Sequence, residues 1–210
     1  VYGFYLERIV IVMNRDKEER LRKQMAFILE ADKEKNILRQ THLSDHGRRE
    51  NDAEHAWHMG LMAYILKEYS NRDIDLAKTI VMCLIHDIVE IEAGDTYAYD
   101  AENKKTQKDR EEKAAEHIFG MLPDDQAAEM HALFEEFDTG DTPEADFARA
   151  MDNFQPLMLN DSNGGSDWIE HGVSRDEVEQ RQKKTEPGSE LLYRKTEEIL
   201  DSNKEKGSLK

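Results

Sequence analysis

Apolar residues recur at steps of three and four along most of the chain, runs of alternating β-branched residues are missing, and only four prolines interrupt 210 residues. That period puts apolar side chains on one face of a helix, whereas a half-buried strand needs period two. The expectation is an all-α fold, a compact helical bundle without strands. A chain of this length can bury one substantial core, and nothing in it calls for a second full domain. The boundaries read as an N-terminal extension over 1–16, one domain over 17–201 with a loop insertion at about 160–173, and a frayed tail over 202–210.

The first helix is expected from about Lys17 to Ile37, with Leu21, Met25, Ile28 and Leu29 inward. Thr41 to Asn51 is polar and reads as a loop. A second helix starts near Asp52, taken as its N-cap, and carries His55, Met59, Met62, Leu66 and Tyr69 on one stripe. After a break at Asn71 to Asp75, a third helix carries Leu76, Ile80, Cys83, Leu84 and Asp87, with Gly94-Asp95-Thr96 ending the turn beyond it. Further helices are expected from about Asp109 to Met121 and from Leu122-Pro123-Asp124 to Gly140. Thr142-Pro143-Glu144 then opens a helix with Phe147, Met151, Phe154 and Met158 inward and Asp152 one step aside, facing a cleft. Asn160 to Gly172 reads as a polar loop around Trp168, long enough to be a lid. Ser174 with Glu177 has the pattern of a capping box, and Gly188-Ser189 introduces the last helix.

Charge narrows the partners. Lys plus Arg number 29 against 46 Asp plus Glu, a formal net charge of -17, so a nucleic-acid polymer would meet a repulsive average field. A small anion remains compatible, because a bound cation and a few local Arg or Lys side chains can invert the field inside one cleft. The single cysteine, Cys83, permits no intrachain disulfide and suits a cytoplasmic setting. The apolar run from Val1 to Met13 is short for a membrane span and is interrupted by Glu7 and Arg8, so no membrane association is expected. Met13 is a candidate native first residue.

The residues that suggest chemistry are His55, His86-Asp87 and Asp152, each on a different expected helix and each on or beside an apolar stripe. Two imidazoles and two carboxylates suit one borderline divalent ion, Mn, Co, Fe, Ni or Zn, and helices can aim such ligands into a bundle interior. Spacing alone leaves open that each is a hydrogen-bonded core residue. Glu54-His55 with His58 is not the His-Glu-x-x-His order of a zincin, which that reading would need.

In order and in neighbours these residues resemble the HD-domain metal-dependent phosphohydrolases. Arg48-Arg49-Glu50-Asn51 followed by Glu54-His55 is similar to the Arg-x-Glu-Asn-x-x-Glu-His segment of the 5'-deoxynucleotidase branch. His86-Asp87 continues to Glu90 and Gly94-Asp95-Thr96, like the branch pattern His-Asp-x-x-Glu followed by Gly-Asp, and Phe147 to Asp152 resembles the helix that brings the distal Asp. The resemblance covers about Leu38 to Leu159. It implies a phosphomonoester hydrolase acting on nucleoside 5'-monophosphates or a related small phosphate ester, often a homodimer. It makes His55, His86, Asp87 and Asp152 the metal ligands, Glu90 and Asp95 the acid and base, and Arg48 a phosphate or structural contact.

The chain departs from the branch at one place. The Arg-Trp pair that contacts phosphate and screens the ribose 2'-hydroxyl is replaced by Arg39-Gln40-Thr41-His42, so Arg39 can still meet phosphate but no aromatic wall stands beside it. Weak discrimination between ribo- and deoxyribonucleotides follows, unless Trp168 and His171 rebuild the wall from the insertion. Two other classes compete. A catalytically silent nucleotide-binding or helical interaction protein would keep the metal for structure, though it would not need Glu90 and Asp95 beside all four ligands. A dinuclear HD oxygenase would need extra histidines between Asp87 and Asp152, where only His117 and His131 stand.

Overall fold

The computed structural model describes residues 2–95 and 103–210, with side chains described from Arg15 onward except Lys104. Helices dominate, as the periodicity requires. In order they are α1 (Tyr2–Ala31), α2 (Asp52–Leu66), α3 (Leu76–Ile85), α4 (Glu90–Ala93), α5 (Lys104–Phe119), α6 (Asp124–Thr139), α7 (Pro143–Ser162), α8 (Ser166–His171), α9 (Arg175–Gln182) and α10 (Glu190–Lys206). Thr96 lies outside the described residues.

Local side-chain hydrogen bonds start half of these helices. Asn51 caps α2 with a full capping box, accepting from the Glu54 backbone N–H while Glu54 accepts from that of Asn51. Asp75 caps α3 by accepting from the Ala77 and Lys78 N–H groups, Thr142 caps α7 with Pro143 in its first turn, and Ser189 caps α10. Ser174 and Glu177 form the expected box at α9. Gly140, left-handed at φ 56°, closes α6 where a Cβ would strike the Arg149 guanidinium.

The core forms around α7. Phe147, Ala148, Met151, Phe154 and Leu157 are buried against Met59, Met62 and Ala63 of α2, Met82 and Cys83 of α3, and Leu192 and Leu200 of α10. A second cluster joins Phe27 of α1 to Ile85, Ile88, Val89, Ile118 and Phe119. Close approach matters at Gly188, where a Cβ would sit 2.3 Å from the Asp146 carbonyl oxygen of α7.

Six expectations are corrected. The segment read as a loop is an antiparallel hairpin, β1 (Leu38–His42) with β2 (Arg49–Asn51), paired Leu38 to Asn51 and His42 to Arg49 with an irregularity between. Its strands are short and polar and carry no alternation, so only the partner strand reveals them. Helix α1 runs through the residues taken as an extension, and its inward stripe is inverted: Leu21, Met25, Ile28 and Leu29 are 55–69 % exposed, while Phe27 faces the core. Asp52 is not the cap of α2 but its first residue, fully buried beside Arg39. The insertion is no open loop: α7 runs to Ser162, Gly164 and Gly165 turn the chain at positive φ, and α8 follows with Trp168 docked in the core. The tail is not frayed either, since Asn203, Ser208 and Leu209 are buried and Lys210 exchanges backbone hydrogen bonds with Val173 and Arg175.

Candidate active site

The capping box at Asn51 fixes the first turn of α2 and with it His55, which is fully buried. Helix α3 ends at Ile85 with His86 as its C-cap, so the expected continuous helix gives way to a turn that delivers Asp87, and α4 then opens at Glu90. Asp152 comes from α7, on the side facing the cleft. The four converge. His55 Nε2 lies 3.2 Å from Asp152 Oδ1 and 4.0 Å from Asp87 Oδ2, and His86 Nε2 lies 3.0 Å from Asp87 Oδ2 and 3.9 Å from Asp152 Oδ1.

Hydrogen bonds on the far side of each ring decide what the near side offers. His55 Nδ1 is 3.0 Å from Gln155 Oε1, and the Gln155 amide is oriented by donating from Nε2 to Glu50 Oε2 at 2.9 Å. An amide oxygen only accepts, so His55 carries its proton on Nδ1 and presents a lone pair at Nε2. His86 Nδ1 likewise donates to the Cys83 carbonyl at 3.0 Å, which turns the buried Nε2 toward Asp87 Oδ2, 3.0 Å away. Two Nε2 atoms oriented toward carboxylates fit a divalent transition metal, which would displace any proton held there, and the outer hydrogen bonds are those that hold a metal-binding imidazole in place. Ligand atoms of His55, His86 and Asp152 lie within 4.8 Å of one another.

The electrostatics follow from burying many acids together. Burial drives His55 down to about 4, with Arg39 adding to the effect. For His86 burial acts the same way, but the Asp87 carboxylate, with Asp152, outweighs it and takes the ring up to about 9. Burial would raise Asp87 and Asp152, yet both are held below the ordinary carboxylate range, Asp87 chiefly by His86 and Arg39 and Asp152 chiefly by the neighbouring His55. Glu90 goes the other way: burial, then Asp87 and Asp52, push its carboxyl well above the usual range. Burial also raises Asp95. Arg39 is shared among the acids, with Nη1 donating to Asp87 Oδ2 at 2.7 Å and Asp52 Oδ1 at 3.2 Å and Nε 3.7 Å from Glu50 Oε1.

Beside them lies a cleft of about 440 Å³, with Arg39, Asp87, Glu90, Asp95, Asp152 and Trp168 in its wall. The volume suits a small organic ligand. Arg48 and His171, two expected substrate contacts, are not in the wall: Arg48 ion-pairs with Glu54 at the surface, and His171 is exposed at the end of α8. Trp168 is both things at once, docked in the core at 4 % exposure and part of the cleft wall. Sequence reasoning missed Arg181 and Lys184, which line the cleft from α9 and the turn after it, and Asp167 beside Trp168. None of these stands on a stripe or in a motif that marks it. His117 is surface-exposed and pairs with Glu92, and His131 packs on the edge of Phe119, so neither histidine that a dinuclear oxygenase would need faces the cleft.

Comparison with known proteins places this geometry. The HD domain model matches residues 31–192, which includes all four converging side chains. The chain belongs to the HD-domain family. Among curated HD relatives, human 5'-deoxynucleotidase HDDC2 is 30 % identical over 112 residues, 53 % of this chain and 53 % of its own length. The zebrafish protein of the same name is 29 % identical over 109 residues, 52 % and 53 % of the two chains. The chain thus spans about half the length of the curated relatives it matches. A crystal structure described as a predicted metal-dependent phosphohydrolase from Magnetospirillum magnetotacticum MS-1 superposes with a TM-score of 0.88 at 45 % identity, covering 92 % of this chain and 97 % of that one. A conserved hypothetical protein from Pyrococcus furiosus, at 21 % identity and a TM-score of 0.58 over 86 % and 99 % of the two chains, shares the HD fold.

Proposed function

We propose that this HD-domain protein is a metal-dependent phosphomonoester hydrolase acting on nucleoside 5'-monophosphates or a related small phosphate ester. The observation that carries the reading is the pair of oriented Nε2 atoms, on His55 and His86, converging with Asp87 and Asp152 at a cleft that also holds two raised carboxyls. A divalent ion, Mn, Co, Fe, Ni or Zn, held by those four residues would polarise a phosphoryl oxygen and lower the pKa of a water. Arg39 supplies a buried guanidinium for the phosphate, with Arg181 also in the wall, which offsets the repulsion of the -17 chain within this cleft. Glu90 keeps a proton, and its Oε2 is buried with no hydrogen-bond partner, so it is placed to protonate the leaving alcohol. Asp95 on the same wall orients the attacking water.

Trp168 is too firmly packed to swing over the cleft, and no tryptophan stands beside Arg39. Ribose and deoxyribose esters are therefore separated only by small steric differences, worth about 1 to 3 kcal/mol. The buried thiol of Cys83 suits a reducing cytoplasm, and the exposed apolar stripe of α1 suits a homodimer. Among the described residues no helix is long and apolar enough to cross a membrane.

The test is a metal-supplemented screen of chelated protein against ribo- and deoxyribonucleoside mono-, di- and triphosphates and non-nucleotide esters. Turnover of a monophosphate that needs added metal, and that disappears in His86→Ala with the far-UV circular dichroism unchanged, is the expected result. Full turnover by the chelated protein would sink the reading. A ratio of kcat/KM for dAMP over AMP below about 200 is expected in the parent and in Trp168→Ala alike.

A further inference from the structure

Beside the cleft mouth, the hairpin and α8 bring together three further metal-binding side chains that the proposed reaction leaves unused. His42 ends β1, His46 sits in the hairpin turn, and Asp167 is the second residue of α8. Ligand atoms from all three lie within 4.8 Å of one another, and the two imidazole rings are 4.6 Å apart. Asp167 is 5 % exposed. Its Oδ1 is 2.6 Å from His42 Nδ1 and its Oδ2 accepts from the His42 backbone N–H at 3.0 Å, so hairpin and helix are already registered to each other through this carboxylate.

The ring of His46 is oriented by its own network. Asn163 Oδ1 accepts from the Ser166 backbone N–H at 3.1 Å and from the Ser166 hydroxyl at 2.9 Å. The hydroxyl has given its only proton to Asn163, so toward His46 Nδ1, 2.9 Å away, it can only accept. His46 therefore carries its proton on Nδ1 and offers a lone pair at Nε2, the arrangement found at His55 in the main centre. The backbone is also committed to this placement. His46 has φ 57°, and among the described residues no other non-glycine residue has positive φ.

We propose that His42, His46 and Asp167 form a second site for a borderline divalent cation such as Zn²⁺ or Co²⁺, separate from the centre at His55, His86, Asp87 and Asp152. Two imidazoles and one carboxylate select such ions over Mg²⁺ or Ca²⁺, which prefer oxygen, and solvent completes the coordination at this exposed turn. The cation takes over the His42–Asp167 hydrogen bond and ties the hairpin turn to α8. Because Asp167 and Trp168 are both in the cleft wall, occupancy stiffens that part of the wall.

Cobalt uptake distinguishes the two sites without an activity assay. The informative pair is His86→Ala, which cripples the main centre, and His86→Ala combined with His46→Gly. Glycine adopts φ 57° without strain, so the second substitution removes the ligand while suiting the backbone, and circular dichroism and Tm verify that the fold is kept. Equilibrium dialysis with Co²⁺ alone should show one equivalent fewer in the double variant than in His86→Ala, with loss of the visible d–d absorption of that ion. Zn²⁺ should displace the same equivalent. Equal cobalt uptake by the two variants overturns the proposal, as does the absence of any uptake by His86→Ala.

Discussion

At the scale of single residues, the site is dominated by acids that burial keeps protonated. Glu34, in the 3-10 turn over Asp32–Asn36 that follows α1, lies well apart in sequence from His55, His86, Asp87 and Asp152. Burial, with Asp87 adding, raises its carboxyl from 4.5 to about 8, and its Oε1 has no partner. The folded protein then holds a proton between those two values that the unfolded chain releases. Stability from this group is complete below the unfolded pKa and is lost as pH rises through about 8. Glu34→Gln keeps the neutral shape and removes the titration. In chelated protein the variant should lose less Tm than the parent between pH 5 and 8.5, and it should be the more stable of the two at pH 8.5. The difference should be a few kcal/mol at most, since each tenfold change in a protonation equilibrium is worth roughly 1.4 kcal/mol. A residual slope is expected in both, since burial also raises Glu50 and Asp52 to about 7. Identical pH profiles for variant and parent would remove Glu34 from this account.

At the scale of elements, the motif residues stand where local chemistry begins or ends a helix. His55 lies in the first turn and a half of α2, held by the Asn51–Glu54 capping box, and His86 is the C-cap of α3. The box has two consequences when it is broken. Asn51→Ala should cost about 1 kcal/mol in urea denaturation, the usual value of an N-cap. It should also weaken metal uptake, because the turn that fixes His55 frays. Asn51→Asp, which can still accept from the Glu54 N–H, should retain most of both. Metal affinity unchanged in Asn51→Ala would show that core packing alone positions His55. The hairpin teaches the opposite lesson at this scale. Arg39 and His42 face their partners only because β1 pairs with β2, and neither strand carries a period that marks it.

At the scale of the whole molecule, the unexplained surface is apolar. Leu21, Met25, Ile28 and Leu29 on α1 and Trp57, Leu61, Tyr64 and Ile65 on α2 are each 45–69 % exposed, an unusual density for a surface in water. A second copy of the chain is the occupant that agrees with the homodimer proposed above. The charge of -17 on each copy opposes that association and is screened by salt, so dimer formation should strengthen as ionic strength rises. Light scattering after gel filtration should give a dimer for the parent and a monomer for Ile28→Glu combined with Leu29→Glu, with helical content unchanged. A monomeric parent at all salt concentrations, or a dimeric variant, would refute the arrangement.

Some of this was determined by the sequence alone. The 3.6-residue period specified a helical fold, the caps at Thr142, Ser174 and Ser189 opened their helices where expected, and Gly140 closed α6, because all of these are contacts within a few residues of one another. The motif order named His55, His86, Asp87 and Asp152, and the tertiary fold brings His55 and Asp152 to within 4.0 Å of the His86-Asp87 pair. Tertiary structure alone decided which face of α1 is inward, since an apolar stripe shows that a helix has a sticky side but not which partner meets it, and Phe27 outcompeted Leu29 for the core. It alone could also pair β1 with β2, dock α8 with Trp168, bring Arg181 to the cleft from α9 and set His42 and His46 against Asp167. Each of those depends on residues distant in sequence meeting in space, and no local pattern encodes such a meeting.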